Sequence, residues 1–489
     1  MKQNDNIVKR IIKIFFVSIT LFIFSINTIF AFNPNNPITV LSSSDPGGRN
    51  KISIANIRNS NYINFYVEQD WWNSQSQANR SKVENFANIL ASEFEHNMYP
   101  KIKTVLPDAA NQINFNKKIE MVITPMVGSS QGYIKQEDFY DKSDYKNSNE
   151  GNVIYFNAQN IIKVFMPNNV LFSFFAHEVM HILSFQEKAV KRGIFEDTWL
   201  EEVRSEFLPH FLGYNNGTDS YINFRLKEGT NISEANIINW ENTSTSYSLA
   251  ALFGVYLEQR YTKDIIFETL KTHLTGIDSI NYYLIKNGHK ERFDEIYQDW
   301  TIAVALNDCN VNQKYCYKNL NVKIGIPGST FFLPVNSDSV LSISDVSLRY
   351  QAKYQRIIGG SDTLEITFEN PKTNQYRKVP ILFKTIDGTK KLDFFIFNGN
   401  QESKIVIKDY KKNYTDMMIV PVFSNGQNDS SQLFKWNVNS INASSSPSTT
   451  VPSSTSNTQG KNDLIMKLQL QLIELLKQLL IILKQQRGI

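Results

Sequence analysis

This 489-residue sequence predicts an α+β chain in three stretches: mixed strands and helices over residues 32–318, a run of short strands over 319–438, and a leucine-rich helix over 464–487. Three observations carry that reading. Apolar residues at helical spacing alternate with short β-rich runs as far as about residue 310, and beyond residue 319 the apolar period changes to two, with turn signals between the runs. The chain is also too long for one ordinary core, so two or three domains are expected.

The first residues run from a basic start (Lys2, Lys9, Arg10, Lys13) through an apolar stretch to the small residue Ala31, the layout of a secretory signal peptide over 1–31. The alternative is an anchor kept in the membrane, since the apolar run is long enough to span a bilayer. Either way the chain is expected outside the cell or at its surface. The four positive charges and one negative charge of this segment account for three of the four units of formal net charge, so the remainder is nearly neutral. No basic block remains to bind nucleic acid. The only two cysteines, Cys309 and Cys316, flank a loop-like CNVNQKYC, and in an oxidising compartment they are expected to form a disulfide.

After residue 31, Ile38 to Asp70 reads as short polar and β-rich segments. Val83, Phe86, Ile89, Leu90 and Phe94 then fall at helical spacing, KKIEMVITPM (117–126) and NVIYFNA (152–158) read as strands, and Leu171 to Phe185 is helical. From Ser246 to Asp308 the pattern stays helical. The later stretch holds TLEITFE, YRKVPILFK, LDFFIF, SKIVI, MMIVPVF and LFKWNV, which fit a β-sandwich. Residues 439–463, rich in Ser, Thr and Pro, form a flexible linker. In the final helix Ile465, Leu468, Leu472, Leu475, Leu479 and Ile482 make a heptad seam, and Leu464, Leu476, Leu480 and Leu483 widen it. So much apolar surface calls for self-association or membrane contact through 464–487; docking back onto the same chain is the blander outcome.

The chemistry is concentrated in His177-Glu178-Val179-Met180-His181, an H-E-x-x-H pattern on a predicted helix. Residues four apart share a helix face, so both imidazoles can reach one Zn2+ at about 2.0–2.1 Å. Glu178 lies beside that face, placed to act on a water activated by the metal as general base. The flanking run FSFFAHEVMHILSF would bury the helix, and two buried imidazoles are costly unless ligated or hydrogen-bonded. A catalytic zinc needs a third protein ligand. The next histidine, His210, is remote, and no H-x-x-G-x-x-H continuation follows, whereas TWLEEVRSEF (198–207) offers carboxylates.

With SSQGYIKQEDFYDKSDYKNSNEGNVIYFNA (129–158), FFAHEVMHILSF, TWLEEVRSEF, YSLAALFGVYLEQRY and QDWTIAVALND in that order, residues 60–310 resemble the gluzincin metallopeptidases, and more narrowly the hyicolysin-type family. The resemblance implies a zincin-like domain with a helical C-terminal lobe over 32–318 and hydrolysis of protein or peptide substrates. The family's W-L-N-E-G segment reads Trp199-Leu200-Glu201-Glu202-Val203 here, with Asn and Gly both replaced; the register selects Glu202 as third zinc ligand. Glu206 shares the face of Glu202 one turn on, where it can accept the free ring N–H of a liganding histidine. Glu201, turned by about 100° from Glu202, is expected to matter little.

For the oxyanion, Tyr247, Tyr256 and His210 are the candidates, with Tyr247 first because it opens the helical lobe. The sequence thus points to a secreted zinc-dependent endopeptidase. Its competitor is a catalytically inactive, peptidase-like surface adhesion or assembly protein in which the sandwich and tail do the work.

Overall fold

The computed structural model describes residues 32–443 except 114–116, 129–130, 164–165, 216–220, 229–235, 319, 321–323, 325–327, 370–377, 398–401 and 425–430. The signal segment 1–31, the linker beyond residue 443 and the leucine-rich helix 464–487 lie outside the described residues. Through Asn442 the chain is one compact unit of mixed α+β structure.

The first half is built on a five-stranded sheet. Strands β3 (Ile54–Asn59), β4 (Ile63–Glu68), β5 (Ile119–Thr124), β7 (Asn152–Asn157) and β6 (Gly132–Ile134) lie side by side in that order; β4, β5 and β7 are parallel, and β3 and β6 are antiparallel edges. Parallel strands need cover on both faces, and the residues of these three are almost all buried. On one face Phe65, Met121, Ile123, Ile154 and Phe156 join the core formed with the helices. On the other, Tyr66, Val122, Val153 and Tyr155 are covered by Ile38 and Val40 of the N-terminal segment, whose two-residue strands β1 (Ile38–Thr39) and β2 (Lys51–Ile52) pair with each other. Three buried groups fasten that segment to the β6 region. The Thr39 carbonyl accepts hydrogen bonds from Lys135 Nζ, Asn149 Nδ2 and Tyr155 OH at 3.2, 2.8 and 3.0 Å.

The apolar face of the sheet carries the motif helix, Asn168–Phe185, every residue of which from Val170 onward is buried. A turn of π-helix, Gln186–Val190, ends it. The carboxylate helix, Thr198–Leu212, packs against it, followed by the Arg225 helix (Tyr221–Glu228) and the long lobe helix (Ser244–Tyr261). The lobe helix comes close to the carboxylate helix at Gly254, where an added Cβ would lie 3.2 Å from the Val203 carbonyl and 3.0 Å from Phe207. Helices Asp264–Leu270, Gly276–Lys286 and Phe293–Leu306 complete the helical stretch, and a Cys309–Cys316 disulfide follows it.

Beyond residue 328 lie two sheets. One has the order β13-β12-β15-β10-β8 (Lys390–Ile396, Lys378–Thr385, Tyr414–Ile419, Gln355–Gly359, Ser329–Leu333), the other β14-β11-β16-β9 (Glu402–Ile407, Thr363–Glu369, Ser431–Ile441, Ser339–Leu348). Alternate residues of both, among them Ile366, Phe368, Ile381, Phe395 and Trp436, form a second core. The opposite face of the five-stranded sheet is not free: Leu382, Met418, Leu392 and Phe394 pack into the core of the helical half. Tyr354 OH also donates to the Thr301 carbonyl at 3.2 Å, and Gln298 Nε2 to the Lys378 carbonyl at 2.9 Å. Strand β16 runs to Ile441, three residues past the 438 boundary read from the sequence, because Ser440 still pairs with Ser339 of β9 and Ile441 with Thr363 of β11.

Candidate metal centre

The motif helix and the carboxylate helix bring His177, His181 and Glu202 together, with one potential ligand atom from each within 4.8 Å of the others. The two Nε2 atoms face each other at 3.1 Å. Glu202 Oε2 lies 3.4 Å from His177 Nε2 and 3.8 Å from His181 Nε2. An ion bound tetrahedrally at about 2.0–2.2 Å spaces its ligands about 3.3–3.6 Å apart, so the triangle has close to the size of a ligand set. Glu202 Oε2 is also buried with no hydrogen-bond partner among the described residues. A cation is the partner such an atom lacks.

Charge makes the same demand. Counting only residues less than a tenth exposed, the site holds the carboxylates of Glu178, Glu202 and Glu206 against the guanidinium of Arg225. A divalent cation would balance that set. The same carboxylates act on the imidazoles: burial pulls His177 down, but Glu202 and Glu206 outweigh it and hold its pKa at about 10. His181 is raised in the same way, against burial, by Glu202 and Glu201. Burial would raise Glu202, yet the two histidines keep its carboxyl below the usual range.

The ring nitrogens turned away from the triangle each meet a carboxylate. His177 Nδ1 sits 3.0 Å from Glu206 Oε1, off the straight line of an N–H bond, so this is a charge contact more than a directed hydrogen bond. Glu206 is held by Tyr221 OH at 2.9 Å and by Arg225, whose Nη2 is 2.6 Å from Oε1 and Nε 3.1 Å from Oε2. His181 Nδ1 meets Glu201 Oε1 at 3.1 Å and the Ser205 hydroxyl at 3.3 Å. The expectation that Glu201 matters little is therefore corrected. A carboxylate 100° round the helix from Glu202 does miss the metal triangle, but it reaches the back of the other imidazole.

Glu178 lies next to this triangle and next to β6. A Cβ on Gly132 would lie 3.6 Å from Glu178 Oε1 and only 2.8 Å from the Tyr155 carbonyl, so glycine lets the edge strand close on both. Burial pushes the Glu178 carboxyl above its usual range, against the pull of His177 and His181.

Tyr247 is beside the site, its ring centroid 5.9 Å from that of His177 and beneath the Arg225 guanidinium at 4.8 Å. Its hydroxyl donates to Asn242 Oδ1 at 2.8 Å, and burial raises its pKa, so it is a neutral donor. The other two oxyanion candidates lie elsewhere. Tyr256 OH donates to the Lys314 carbonyl at 3.0 Å, and His210 Nε2 faces Glu258 at 3.7 Å. Arg225 and Tyr221 were not read from the sequence. Both sit on a short helix of weak amphipathic pattern, and nothing local marks either as a neighbour of His177.

No family model and no curated protein matches this chain. Among solved structures, a protein from Bacillus endospore appendages, described as a novel family of disulfide-linked pili, aligns at 10% identity over 22% of this chain and 88% of its own, with a TM-score of 0.14. A 4-O-methyl-α-glucuronidase with specificity for decorated arabinogalactans aligns at 8% identity over 69% of this chain and 53% of its own, with a TM-score of 0.13. Superpositions this poor say nothing of the fold or chemistry here. Among the described residues no helix is long and apolar enough to cross a membrane.

Proposed function

We propose that this chain is a secreted zinc-dependent endopeptidase of the gluzincin, hyicolysin-like type, with a zincin-like domain followed by a β-sandwich. The observation that carries the reading is the meeting of His177 Nε2, His181 Nε2 and the partnerless Glu202 Oε2 beside a buried Glu178. When bound there, zinc supplies Lewis-acid polarisation of a carbonyl and makes water a stronger acid. Two histidines and one carboxylate are a donor set suited to it, leaving one position open. Glu201 and Glu206 orient the rings and keep Nδ1 protonated, so that Nε2 is the coordinating nitrogen.

Glu178, whose carboxyl is pushed above its usual range by burial, takes the proton of the attacking water and passes it to the leaving amine as the C–N bond breaks. The hydroxyl of water ends on the carbonyl carbon. Tyr247, beside His177, is a neutral donor for the carbonyl oxygen once its hydroxyl leaves Asn242. Peptide as substrate is supported by β6, which among the described strands pairs only with β7 and so has a second edge able to receive an extended chain alongside Glu178.

The test is metal content and proteolysis of a casein-type substrate. We expect about one zinc per chain, loss of activity with chelator, and recovery on adding zinc. A purified protein without metal or chelator-sensitive cleavage would turn the reading toward the inactive adhesion or assembly protein.

A further inference from the structure

Away from the candidate metal centre there is a hollow large enough for a small molecule. It lies between the helix Gln77–Glu93, the short helix Ala158–Ile162 and the first turn of the motif helix, and its volume is about 330 Å3. A water takes up about 30 Å3 in the liquid, so the hollow has room for roughly ten non-hydrogen atoms. Phe86, Ile89, Ile161 and Leu171 are its main walls, and none of the residues placed at the metal centre lines it.

Depth sorts the lining by polarity. The buried members are Phe86, Leu171 and Asn160, at 3%, 5% and 6% exposure. Phe86 is fixed by stacking on Phe156 with centroids 5.5 Å apart, and the Asn160 amide is spent on Gln131 Oε1 at 2.6 Å. The floor is therefore a preformed apolar surface whose one polar donor is occupied. The rim is the opposite. Lys82 and Lys163 are exposed there, with Asn85 and Asn168, and no acidic side chain lines the hollow.

Neither ammonium is used up. Lys82 Nζ has one hydrogen bond, to the Ile162 carbonyl at 3.2 Å, and Lys163 has no side-chain partner among the described residues. A single solvated lysine asks for nothing. Two of them at the rim of an apolar hollow, with no carboxylate in its lining, match a ligand at both ends: an apolar stem for the floor and an anionic head for the rim.

We propose that this hollow is a binding site for a small amphipathic anion, an apolar stem ending in a carboxylate with about ten non-hydrogen atoms in all. Its stem lies against Phe86 and Leu171 and its carboxylate at Lys82 and Lys163. The site is independent of the peptidase reading. The experiment titrates the full-length protein by calorimetry with octanoate, which has about that size. We expect one saturable site with a Kd of about 1 mM or below, weakening about two- to fourfold for each methylene removed down to butyrate. Octanamide should bind about three- to tenfold more weakly than octanoate, the effect of two partly exposed ion pairs. Replacing both lysines, Lys82→Met with Lys163→Met, should abolish that difference between acid and amide. Asn85→Trp, which fills the hollow from its rim, should remove the binding of both. All three positions are exposed, so the fold is not at stake. A carboxylate can also bind at the candidate metal centre, and Glu202→Ala separates the two sites: octanoate affinity should be unchanged in it. N-Acetyl-leucine carries the same chemistry on a peptide stem, and its rank against octanoate tells a peptide terminus from a fatty acid as the source. No saturable binding of either acid, equal binding of octanoate and octanamide, binding kept in Asn85→Trp, or binding lost in Glu202→Ala overturns the proposal.

Discussion

The two imidazoles of the candidate metal centre are backed by carboxylates in unlike surroundings. Behind His177, Glu206 is 1% exposed and engaged by Arg225 and Tyr221, both buried and both carried by the Arg225 helix. Behind His181, Glu201 lies on the wall of an open cleft, with Ser205 as a second contact to the ring. The same chemical role is therefore filled once in a sealed interior and once at a wet edge. A buried ion pair is costly to break because the surviving partner keeps its charge without water, whereas an edge carboxylate can be replaced by solvent. The inner half should govern whether the site exists, and the outer half how well it is tuned.

The largest effects come from residues shared by both halves. Glu202→Ala should lose bound zinc and activity together, and Glu178→Gln should keep zinc while losing nearly all turnover; zinc per chain and cleavage rate separate them. Full zinc occupancy in Glu202→Ala would break the comparison at its root. Next comes the sealed half: Arg225→Met leaves the Glu206 carboxylate buried beside Glu202, and we expect a cost of about 3–5 kcal/mol in unfolding stability. Glu206→Ala should weaken zinc by about ten- to a hundredfold in competition with a chelator. Glu201→Ala should fall at the tenfold end of that range, with a stability change of about 1 kcal/mol or less. Equal losses from Glu201→Ala and Glu206→Ala would show that burial does not set the difference.

Protons sharpen the comparison further. In the metal-free protein His177 has a pKa raised from 6.5 to about 10, so its pairing with the carboxylates contributes stability that is whole below about 6.5 and lost as pH rises through about 10. Zinc requires both rings neutral, so binding near pH 7 should release about one to two protons per ion, and affinity should fall as pH falls. Calorimetry in buffers of different ionisation enthalpy measures that number. No proton release would mean that the rings are already neutral and that the inner carboxylates do not hold them charged.

The local signals were legible without a structure. Apolar residues on every face of Leu171–Phe185 announced a buried helix, and the four-residue step from His177 to His181 announced a shared face, because both depend only on helix geometry. The strand TLEITFE was legible for the same reason: its alternation is the burial pattern of β11 itself. Glu202 came from the resemblance of Trp199-Leu200-Glu201-Glu202-Val203 to the W-L-N-E-G segment, and Glu206 from its place one helical turn further on. Glu201 was misjudged because the helix angle says which way a side chain leaves its own axis and nothing of what stands opposite; His181 stands there.

By itself, then, the sequence determined the α+β character, the motif helix and the pairing of His177 with His181, since each rests on interactions within about five residues or on a repeating period; Glu202 as third candidate came with the family resemblance. Only the tertiary structure decided that Arg225, from a helix 19 residues beyond Glu206, neutralises it, and that Gly132 brings an edge strand against Glu178. Those contacts join segments whose local patterns are independent of one another. They exist because packing the carboxylate helix and β6 against the motif helix leaves buried charges and hydroxyls that must find partners across the chain, and distance along the sequence carries no record of that search.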